Sequence, residues 1–432
     1  MKEKLTYHLV TLGCPKNDVD SLHLERLLET GDLKPTNKIQ EADSIIVNTC
    51  GFIEQSKAQS IETVHELAKI KQANQKLIVA GCLTQIAAEE VQESEPLIDH
   101  IFGVGEWEAV AKTLGVGNVP IHDIPKSVIK VTGPSAYLKI SDGCNAPCTF
   151  CVIPKIKGAL KSASVGRLVD ESHRLVEAGA KELVLVAQDS TAWGEDLGIK
   201  NGLPELLKTL GHEVGPDVWL RLMYAYPSRV RPPLIEAMAE IPNVIPYLDV
   251  PLQHGSENML RKMRRPWKSS KTREMIANLR DAIPEITLRT SLIVGFPGES
   301  DDDISELLEF LEEIMFDHVG VFTYSQQKWT PAGEYNDQII DSIKNERRDL
   351  VMQLQQKISE KRASRFIGKT MSMLIEGNGE SDNGDPIAIG RTVREAPEVD
   401  GLVFAQGQAK IGSKVKVKIE DSGEYDLFGR LL

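Results

Sequence analysis

The feature that most constrains this chain is a loop with three closely spaced cysteines, Cys144-Asn-Ala-Pro-Cys148-Thr-Phe-Cys151. The loop directly follows an apolar run, residues 136–140, that we predict to be a strand. Thiolates at this spacing can bind three irons of a 4Fe-4S cube and leave the fourth iron without a protein ligand. A zinc site is the alternative, but structural zinc sites have four ligands and no fourth Cys or His lies nearby. We therefore predict that this loop binds an iron-sulfur cluster.

The other three of the six cysteines, Cys14, Cys50 and Cys82, each stand beside a glycine at the end of a predicted strand. These strands are the apolar runs 7–12, 44–48 and 77–80, with helices predicted at about 21–29 and 56–71. Alternating strands and helices indicate a parallel sheet, whose strands end at one common edge. Glycine lets the backbone approach a bulky cofactor, so we predict a second cluster with one open iron at this edge. The alternative is that these cysteines are ordinary small apolar residues.

Proline and glycine punctuation suggests a linker at residues 115–134, so we predict domains at 1–120, 134–366 and 367–432. The middle part alternates amphipathic helices with six predicted strands, at 136–140, 182–188, 218–224, 244–250, 286–294 and 318–324. This pattern predicts an open (β/α)6 partial barrel with its chemistry at the carboxyl ends of the strands. A long charged helix at 337–366 precedes short alternating runs at 371–375, 402–406 and 414–419. Those runs predict a small antiparallel barrel, and the whole chain is of the α/β class.

Composition narrows the class of function. With 432 residues, 41% of them hydrophobic, the chain can bury two or three cores. The formal net charge of −13 argues against sequence-independent adhesion to nucleic acid. We find no signal peptide and no membrane-spanning segment, so we expect a cytoplasmic protein with no membrane partner. In a reducing compartment, six cysteines are better explained by metal binding than by disulfides.

Five stretches make nearly the whole chain similar to a known family. They are Leu12-Gly-Cys-Pro-Lys-Asn17, Asn48-Thr-Cys-Gly-Phe52, Ser141-Asp-Gly-Cys-Asn145, Pro251-Leu-Gln-His-Gly-Ser256 and Val294-Gly-Phe-Pro-Gly-Glu299. They resemble the methylthiotransferase family of radical S-adenosylmethionine (SAM) enzymes, which has a cluster domain, a radical SAM barrel and a TRAM domain. Residues 247–254, 320–325 and 395–401 are most similar to the members that modify a ribosomal protein, rather than to those that modify an adenosine in tRNA.

The resemblance implies a reaction and its cofactors. Two 4Fe-4S clusters and two SAM molecules would replace a C–H bond at the β-carbon of an aspartate in ribosomal protein S12 by C–SCH3. The cluster on Cys144, Cys148 and Cys151 would cleave SAM to a 5'-deoxyadenosyl radical, and the second cluster would carry the sulfur. A sulfur donor and an electron donor would be further partners, and nucleic acid binding is not expected to dominate. The alternatives are methylthiolation of a tRNA adenosine and a non-catalytic iron-sulfur redox or scaffold protein.

We assign further residues to cofactor binding. The resemblance places Phe150 beside the SAM adenine, and Gln188 ends a predicted strand at the active edge. Arg221 lies inside a strand, where it either faces the cofactor or forms a structural ion pair. The turn from Gly295 to Glu299 follows a strand and either lies against SAM or is a turn without a ligand.

One departure from the family concerns the region after the cluster loop. The family usually has Arg-Gly and then Arg-Ser, whereas this chain has Lys157-Gly158 and Lys161-Ser162. Lysine keeps the positive charge but lacks the two-pronged hydrogen-bonding geometry of arginine. What this region binds is therefore left open.

The C-terminal barrel is acidic, since residues 367–432 hold 8 Lys plus Arg against 11 Asp plus Glu, a net charge of −3. An acidic surface complements a basic ribosomal protein and repels a phosphate backbone. Glu395, Glu398 and Asp400 occupy one proline-containing loop, and we predict that they contact that protein. The alternative is an ordinary solvated turn.

Overall fold

The amino-terminal part is a parallel sheet with helices on both faces. The fold is known from a computed structural model, and the structure describes residues 5–117, 131–266 and 268–432. The strands are β1 (Thr6–Thr11), β2 (Lys34–Pro35), β3 (Ser44–Thr49), β4 (Lys76–Gly81) and β5 (His100–Ile101), in the sheet order β2-β1-β3-β4-β5. The helices are α1 (Pro15–Thr30), α2 (Glu54–Ile70), α3 (Cys82–Ser94) and α4 (Trp107–Thr113). Most of the predicted linker lies outside the described residues.

Two apolar clusters cover the two faces of this sheet. On one face α1 and α4 pack through Leu24, Leu28 and Val110, and on the other α2 and α3 pack through Val64 and Val91. The central strand β3 is buried along its whole length, which explains the apolar run Ile45-Ile-Val47 at its centre. The three strands predicted from apolar runs are confirmed. The edge strands β2 and β5 were missed, because two residues leave no periodic signal.

The middle part is an open sheet of six parallel strands, which confirms the predicted partial barrel. The strands are β6 (Ser135–Lys139), β9 (Glu182–Val186), β10 (Trp219–Leu222), β11 (Val244–Asp249), β12 (Thr287–Val294) and β13 (His318–Thr323), adjacent in that order. A two-stranded antiparallel ribbon of β7 (Ser141–Asp142) and β8 (Lys161–Ser162) follows β6. The helices are α5 (Ile153–Ile156), α6 (Val165–Glu177), α7 (Gly202–Val214), α8 (Pro232–Glu240), α9 (Glu257–Lys262), α10 (Ser269–Ala282) and α11 (Asp301–Ile314).

The strands of the partial barrel alternate between two environments. Leu183 and Leu185 of β9 pack under the outer helices, while Val184 and Val186 face the inner side. Both sides are buried, so the strand is apolar after its first residue, Glu182. The helix α12 (Asp341–Ser364) then packs along β13 and leads to the C-terminal part.

The C-terminal part is a closed barrel of five strands. They are β14 (Thr370–Glu380), β15 (Pro386–Arg391), β16 (Val403–Gln406), β17 (Lys414–Ser422) and β18 (Leu427–Leu431), in the order β14-β15-β16-β18-β17. The predicted small barrel is confirmed, with one difference. β16 and β18 pair in parallel, and the other four pairs are antiparallel. The parallel pair of β16 and β18 connects β15 to β17 around the closed barrel.

The loop between β15 and β16 lines the inner side of the partial barrel. Ala396 and Val393 pack there against Val184 and Tyr247. Polar contacts reinforce this packing, because Arg391 donates to Glu182 Oε2 at 2.7 Å. Glu182 and Ser135, which Arg391 also contacts, are the first residues of their strands. The C-terminal barrel is therefore docked at the amino-terminal ends of the partial barrel, away from the carboxyl ends. No helix in the described part of the chain is both long and apolar enough to cross a membrane.

Candidate functional site

The cysteines of the amino-terminal sheet meet at its carboxyl edge. Cys14 caps α1 after β1, Cys50 follows β3, and Cys82 begins α3 after β4. Gly13 brings the first loop onto the second, since a Cβ at Gly13 would lie 2.8 Å from Cys50 Cβ and 2.9 Å from its Sγ. A Cβ at Gly51 would lie 2.8 Å from the Cα of Leu83, the residue after Cys82. The three thiol-bearing loops are thus in mutual contact.

Asn17 ties these loops together from within α1. Its side-chain nitrogen donates to the carbonyls of Leu12 at 2.8 Å and Thr49 at 3.1 Å. Its side-chain oxygen lies 3.5 Å from Cys82 Sγ. Burial raises the pKa of the Cys82 thiol to about 12, although the ammonium of Lys157 opposes this shift. Cys50 and Cys82 are therefore shielded from water, whereas Cys14 is partly exposed.

The second triad lies in a loop that the β7–β8 ribbon closes at its base. The backbone N–H of Cys144 donates to the carbonyl of Gly158 at 3.1 Å. Gly143 makes this approach possible with a φ of +70°, and a Cβ there would lie 2.1 Å from the carbonyl oxygen of Ala159. Thr149 holds the other side of the loop, because its hydroxyl donates to the carbonyl of Lys262 at 2.8 Å. The loop is thus fixed by backbone contacts at both ends.

Cations and a carboxylate surround this loop. Arg265 Nη1 lies 3.7 Å from Cys148 Sγ, and its guanidinium stacks 4.1 Å from the ring centroid of Tyr226. Asp189, just beyond β9, pairs with Arg229 at 3.0 Å, and burial raises the pKa of Asp189. Burial also raises the pKa of the Cys151 thiol to about 12. Arg265 was missed in the sequence analysis because only the fold brings it to Cys148.

The two triads lie on facing edges. Cys82 of the first packs against Val152, the residue after Cys151 of the second, and against Ile156. An ion pair reinforces this contact, since Lys157 Nζ lies 2.8 Å from Asp20 Oδ2 in α1. The carboxyl edge of the amino-terminal sheet therefore covers the carboxyl ends of the partial barrel.

Both triads fit an iron-sulfur cluster better than a single metal ion. Within the described residues, no group of three or more His, Cys, Asp or Glu is close enough to hold one ion. Each triad supplies three thiols outside any disulfide, and a coordinating metal removes the thiol protons that burial otherwise retains.

The structure places the other expected cofactor residues in two groups. Gln188 lies just beyond β9 at the carboxyl edge, where its Oε1 is buried and has no hydrogen-bond partner among the described residues. Phe150 packs beside Met259, Met263 and Phe296. Glu299 is occupied by protein groups, because its Oε1 accepts from the Gly295 N–H at 2.8 Å and from Arg347 at 2.9 Å. Glu299 therefore shapes the turn through Oε1, while its Oε2, like Gln188 Oε1, is buried without a hydrogen-bond partner among the described residues.

Arg221 lies away from the carboxyl edge. Its side chain is fully buried, pairs with Glu182 at 2.7 Å and donates to the carbonyls of Thr392 and Val393 in the β15–β16 loop. Of the two alternatives for Arg221, the structure shows the structural ion pair with Glu182. We therefore do not expect Arg221 to contact SAM.

The prediction that the acidic loop is a docking surface is wrong for two of its three carboxylates. Glu395 is buried and accepts hydrogen bonds from Arg394 at 2.9 Å and from Thr392 Oγ1 at 2.7 Å. The Asp400 side chain is 1% exposed and lies 3.5 Å from Arg289. Cationic side chains and hydroxyls on the inner side of the partial barrel compensate the charges of Glu395 and Asp400. Both carboxylates can therefore be buried. Only Glu398 is exposed.

Strained backbone marks the carboxyl edge near Cys14. Tyr224, two residues beyond the end of β10, has a φ of +60°, and Gln253 has a φ of +82°. Such conformations cost a non-glycine residue about 1 kcal/mol or more and often accompany functional sites. Lys16 places its ammonium 3.4 Å from the ring centroid of Tyr224. The sequence gives no signal for either φ, because local composition does not encode strain imposed by neighbours.

A cleft of about 550 Å³ opens beside the two triads. It lies between α2, α3 and the segment that follows β13, and its walls include Leu83 and Trp329. Trp329 also packs with Cys82 and Val152, so one layer of side chains separates the cleft from the facing edges. Lys57 and Lys328 flank the Trp329 ring at 4.5 and 4.7 Å. The cleft therefore ends one layer of side chains away from Cys82 and Val152.

Three family models match successive parts of the chain. They are Uncharacterized protein family UPF0004 at residues 6–103, Radical SAM superfamily at 138–311 and TRAM domain at 367–432. A relative from Herpetosiphon aurantiacus, described as ribosomal protein uS12 methylthiotransferase RimO, is 42% identical and covers 99% of this chain and 100% of its own. A relative of the same description from Thermotoga maritima is 39% identical, with 98% of each chain covered.

Solved structures support the fold alone. The radical S-adenosylmethionine methyltransferase TsrM from Kitasatospora setae, with cobalamin and a [4Fe-4S] cluster bound, aligns with a TM-score of 0.57. Its identity to this chain is 14%, and the alignment covers 76% of this chain and 77% of TsrM. The cobalamin-dependent S-adenosylmethionine radical enzyme OxsB aligns with a TM-score of 0.54 at 14% identity, covering 83% of this chain and 56% of OxsB.

Proposed function

This chain belongs to the family of ribosomal protein uS12 methylthiotransferases named RimO, and we propose that it installs a methylthio group on that protein through two iron-sulfur sites. The observation that carries the proposal is the contact of Cys82 with Val152, which joins two cysteine triads edge to edge. A group carried at one site and a radical formed at the other must meet within a few ångströms. Facing edges meet this requirement.

We assign Cys14, Cys50 and Cys82 to one 4Fe-4S cluster and Cys144, Cys148 and Cys151 to the other. When bound, the clusters would supply the electron that cleaves SAM and an open iron that holds the sulfur to be transferred. Water is largely excluded from two ligands of the first site, since Cys50 and Cys82 are 6% and 7% exposed, whereas Cys144, Cys148 and Cys151 of the second are partly buried. Arg265 places a positive charge 3.7 Å from Cys148 Sγ, which favours an anionic group there.

We assign Gln188 and the Phe150 ring to the SAM site, with the Gly295–Glu299 turn as its backbone wall. Gln188 supports this assignment because its buried Oε1 has no partner among the described residues and can accept from an amino group. Glu299 holds the turn in shape through Gly295 and Arg347.

The proposed reaction replaces a β-carbon hydrogen of an aspartate in uS12 by a methylthio group. The cleft beside Trp329 is where we expect a segment of uS12 to enter. A sulfur donor and an electron donor complete the partners. We also propose the domain division at 1–120, 134–366 and 367–432, with the cluster domain, the radical SAM domain and the TRAM domain in that order.

The test begins with anaerobically reconstituted protein, for which we expect about four irons per cluster at two sites. Replacing Cys14, Cys50 and Cys82 together by Ala should remove half of the iron. Cys148→Ala should abolish 5'-deoxyadenosine formation. Cys50→Ala should retain SAM cleavage but lose the methylthio product on uS12, as measured by mass spectrometry.

Two outcomes would overturn the proposal. One is an unchanged iron and sulfide content in the triple Ala variant, which removes the second site. The other is methylthiolation of tRNA, but not of uS12, when both are offered to the same enzyme. The matched control is Ser141→Ala, a nearby residue of the ribbon that has no role in either assignment.

A further inference from the structure

Lys157 is a buried cation at the boundary between the two triads. It follows α5, six residues after Cys151, and its side chain is only 3% exposed. Its Nζ lies 2.8 Å from Asp20 Oδ2 in α1 and 3.5 Å from Asp142 Oδ2 in β7. The first contact joins residues that are 137 positions apart in the chain.

A second lysine completes a closed network of four charges. Lys139, the last residue of β6, also contacts Asp20 and lies 3.0 Å from Asp142. Two ammonium groups thus balance two carboxylates, with Asp20 shared between both lysines. Burial alone would lower the pKa of Lys157, but Asp20 and Asp142 hold it above its usual value. Lys157 therefore stays charged in its buried position.

A buried ion pair of this kind contributes more to specific geometry than to net stability, because desolvation offsets much of its attraction. Its geometry connects the two sites directly. Asp20 lies on the helix that Cys14 caps, and Lys157 ends the loop that carries Cys151. The Lys157 charge also acts on the Cys82 thiol. One side chain therefore touches elements that carry ligands of both triads.

We propose that Lys157 is a positioning residue for methylthio transfer, which fixes the distance between the two cluster sites by holding α1 against the cluster loop. The inference rests on the proposed function. It also gives a role to the residue at which this chain departs from the usual arginine of its family. Arginine can make the same contacts, since it carries the same charge on a longer side chain.

The test compares three variants. In Lys157→Met the methylthio product formed per SAM cleaved should fall about tenfold or more, because small misplacements of reacting groups cost rate steeply. SAM cleavage itself should change much less, since the loop keeps its own backbone contacts to Gly158 and Lys262. Lys157→Arg should restore the ratio. Lys161→Met, at an exposed lysine of β8 outside the network, should leave it unchanged.

A second readout does not depend on turnover. Dipolar coupling between the two reduced clusters, measured by electron paramagnetic resonance, should weaken or broaden in Lys157→Met and recover in Lys157→Arg. In the cluster-free protein, hydrogen exchange of α1 should be faster in Lys157→Met than in the parent. A general loss of stability would instead lower SAM cleavage and transfer together.

The inference is overturned if Lys157→Met keeps both the product ratio and the coupling of the parent. It is also overturned if cleavage and transfer fall equally and Lys157→Arg fails to restore them. Failure of the proposed function is a different result, in which the parent itself forms no methylthiolated uS12. The coupling measurement would then still report whether Lys157 sets the distance between the clusters.

Discussion

The hydroxyl of Tyr247, in the fourth strand of the partial barrel, donates a 2.7 Å hydrogen bond to Asp400 of the C-terminal part. Asp400 Oδ1 also lies 3.5 Å from Arg289 and 3.6 Å from His318. An imidazole, a guanidinium and a hydroxyl from three strands thus converge on one buried carboxylate. Interactions with His318 and Arg289 hold the pKa of Asp400 below its usual value against the effect of burial.

Removal of this carboxylate should destabilise the protein. We expect Asp400→Ala to lower the free energy of unfolding by about 3 kcal/mol, because it leaves Arg289 and His318 buried with one partner fewer. Urea unfolding of the cluster-free protein, followed by fluorescence, measures the change. The matched control is Asp382→Ala, at an exposed position of the same barrel, which should change stability by less than about 0.5 kcal/mol. Equal midpoints for the two variants would contradict the expectation.

A side chain at Gly13 should remove one cluster selectively. In Gly13→Ala the new Cβ would lie 2.9 Å from Cys50 Sγ, in addition to the strain of a φ of +105°. We expect about half of the iron to be lost and SAM cleavage to remain. Gly105→Ala is the control, since Gly105 has a φ of +80° but nothing within 4 Å of its Cβ position. If both variants retain full iron, the close approach of Gly13 to Cys50 has no bearing on cluster binding.

The stability of the protein should depend on pH through Asp18 of α1. Burial, followed by the nearby Glu398 carboxylate, raises the pKa of Asp18 from 3.8 to about 6. The favourable protonated form is fully present below pH 3.8, and its contribution is lost as the pH rises through about 6. Asn at this position cannot ionise, so Asp18→Asn should become more stable relative to the parent between pH 4 and pH 7. Melting temperatures across this range measure the difference, and a difference that is independent of pH would refute the assignment.

Arg265 should set how readily the cluster beside Cys148 is reduced. A cation 3.7 Å from the Sγ favours the reduced cluster, which carries one more negative charge. We therefore expect Arg265→Met to lower the reduction potential and to slow SAM cleavage at a fixed reductant concentration, with Arg265→Lys in between. A redox titration followed by electron paramagnetic resonance tests this. Arg264→Met, at the exposed neighbour, should behave like the parent, and equal potentials in all variants would argue against the role.

Much of the fold could be predicted because the strands carry a strong local signal. β9 and β12 are apolar over most of their length, and their predicted positions differ from the observed ones by at most two residues. β18 was missed because Arg430 interrupts its short apolar run and its partner β16 runs parallel to it. Consecutive strands joined by a short turn are recognised in a sequence as antiparallel pairs. A parallel pair between strands that are not consecutive leaves no such signal.

The environment of charged residues could not be predicted in the same way. Asp400 and Asp20 both belong to segments rich in polar residues, yet each is buried among cations that the fold supplies. A charge is buried when tertiary partners compensate its desolvation, and these partners are distant in sequence. The cysteine triads could be recognised from the sequence, because closely spaced thiols and thiols at strand ends are typical of metal-cluster binding whatever the rest of the fold.

The loop between β15 and β16 gives the partial barrel its inner lining, with Arg391 on Glu182 and Asp400 on Tyr247. A chain cut after α12 would leave Glu182 and Arg221 paired with each other but with Arg391 and two backbone carbonyls missing. Recombination between relatives that exchanged only the C-terminal barrel would meet the same difficulty. We therefore expect residues 367–432 to be exchangeable only together with the amino-terminal ends of the strands that they line.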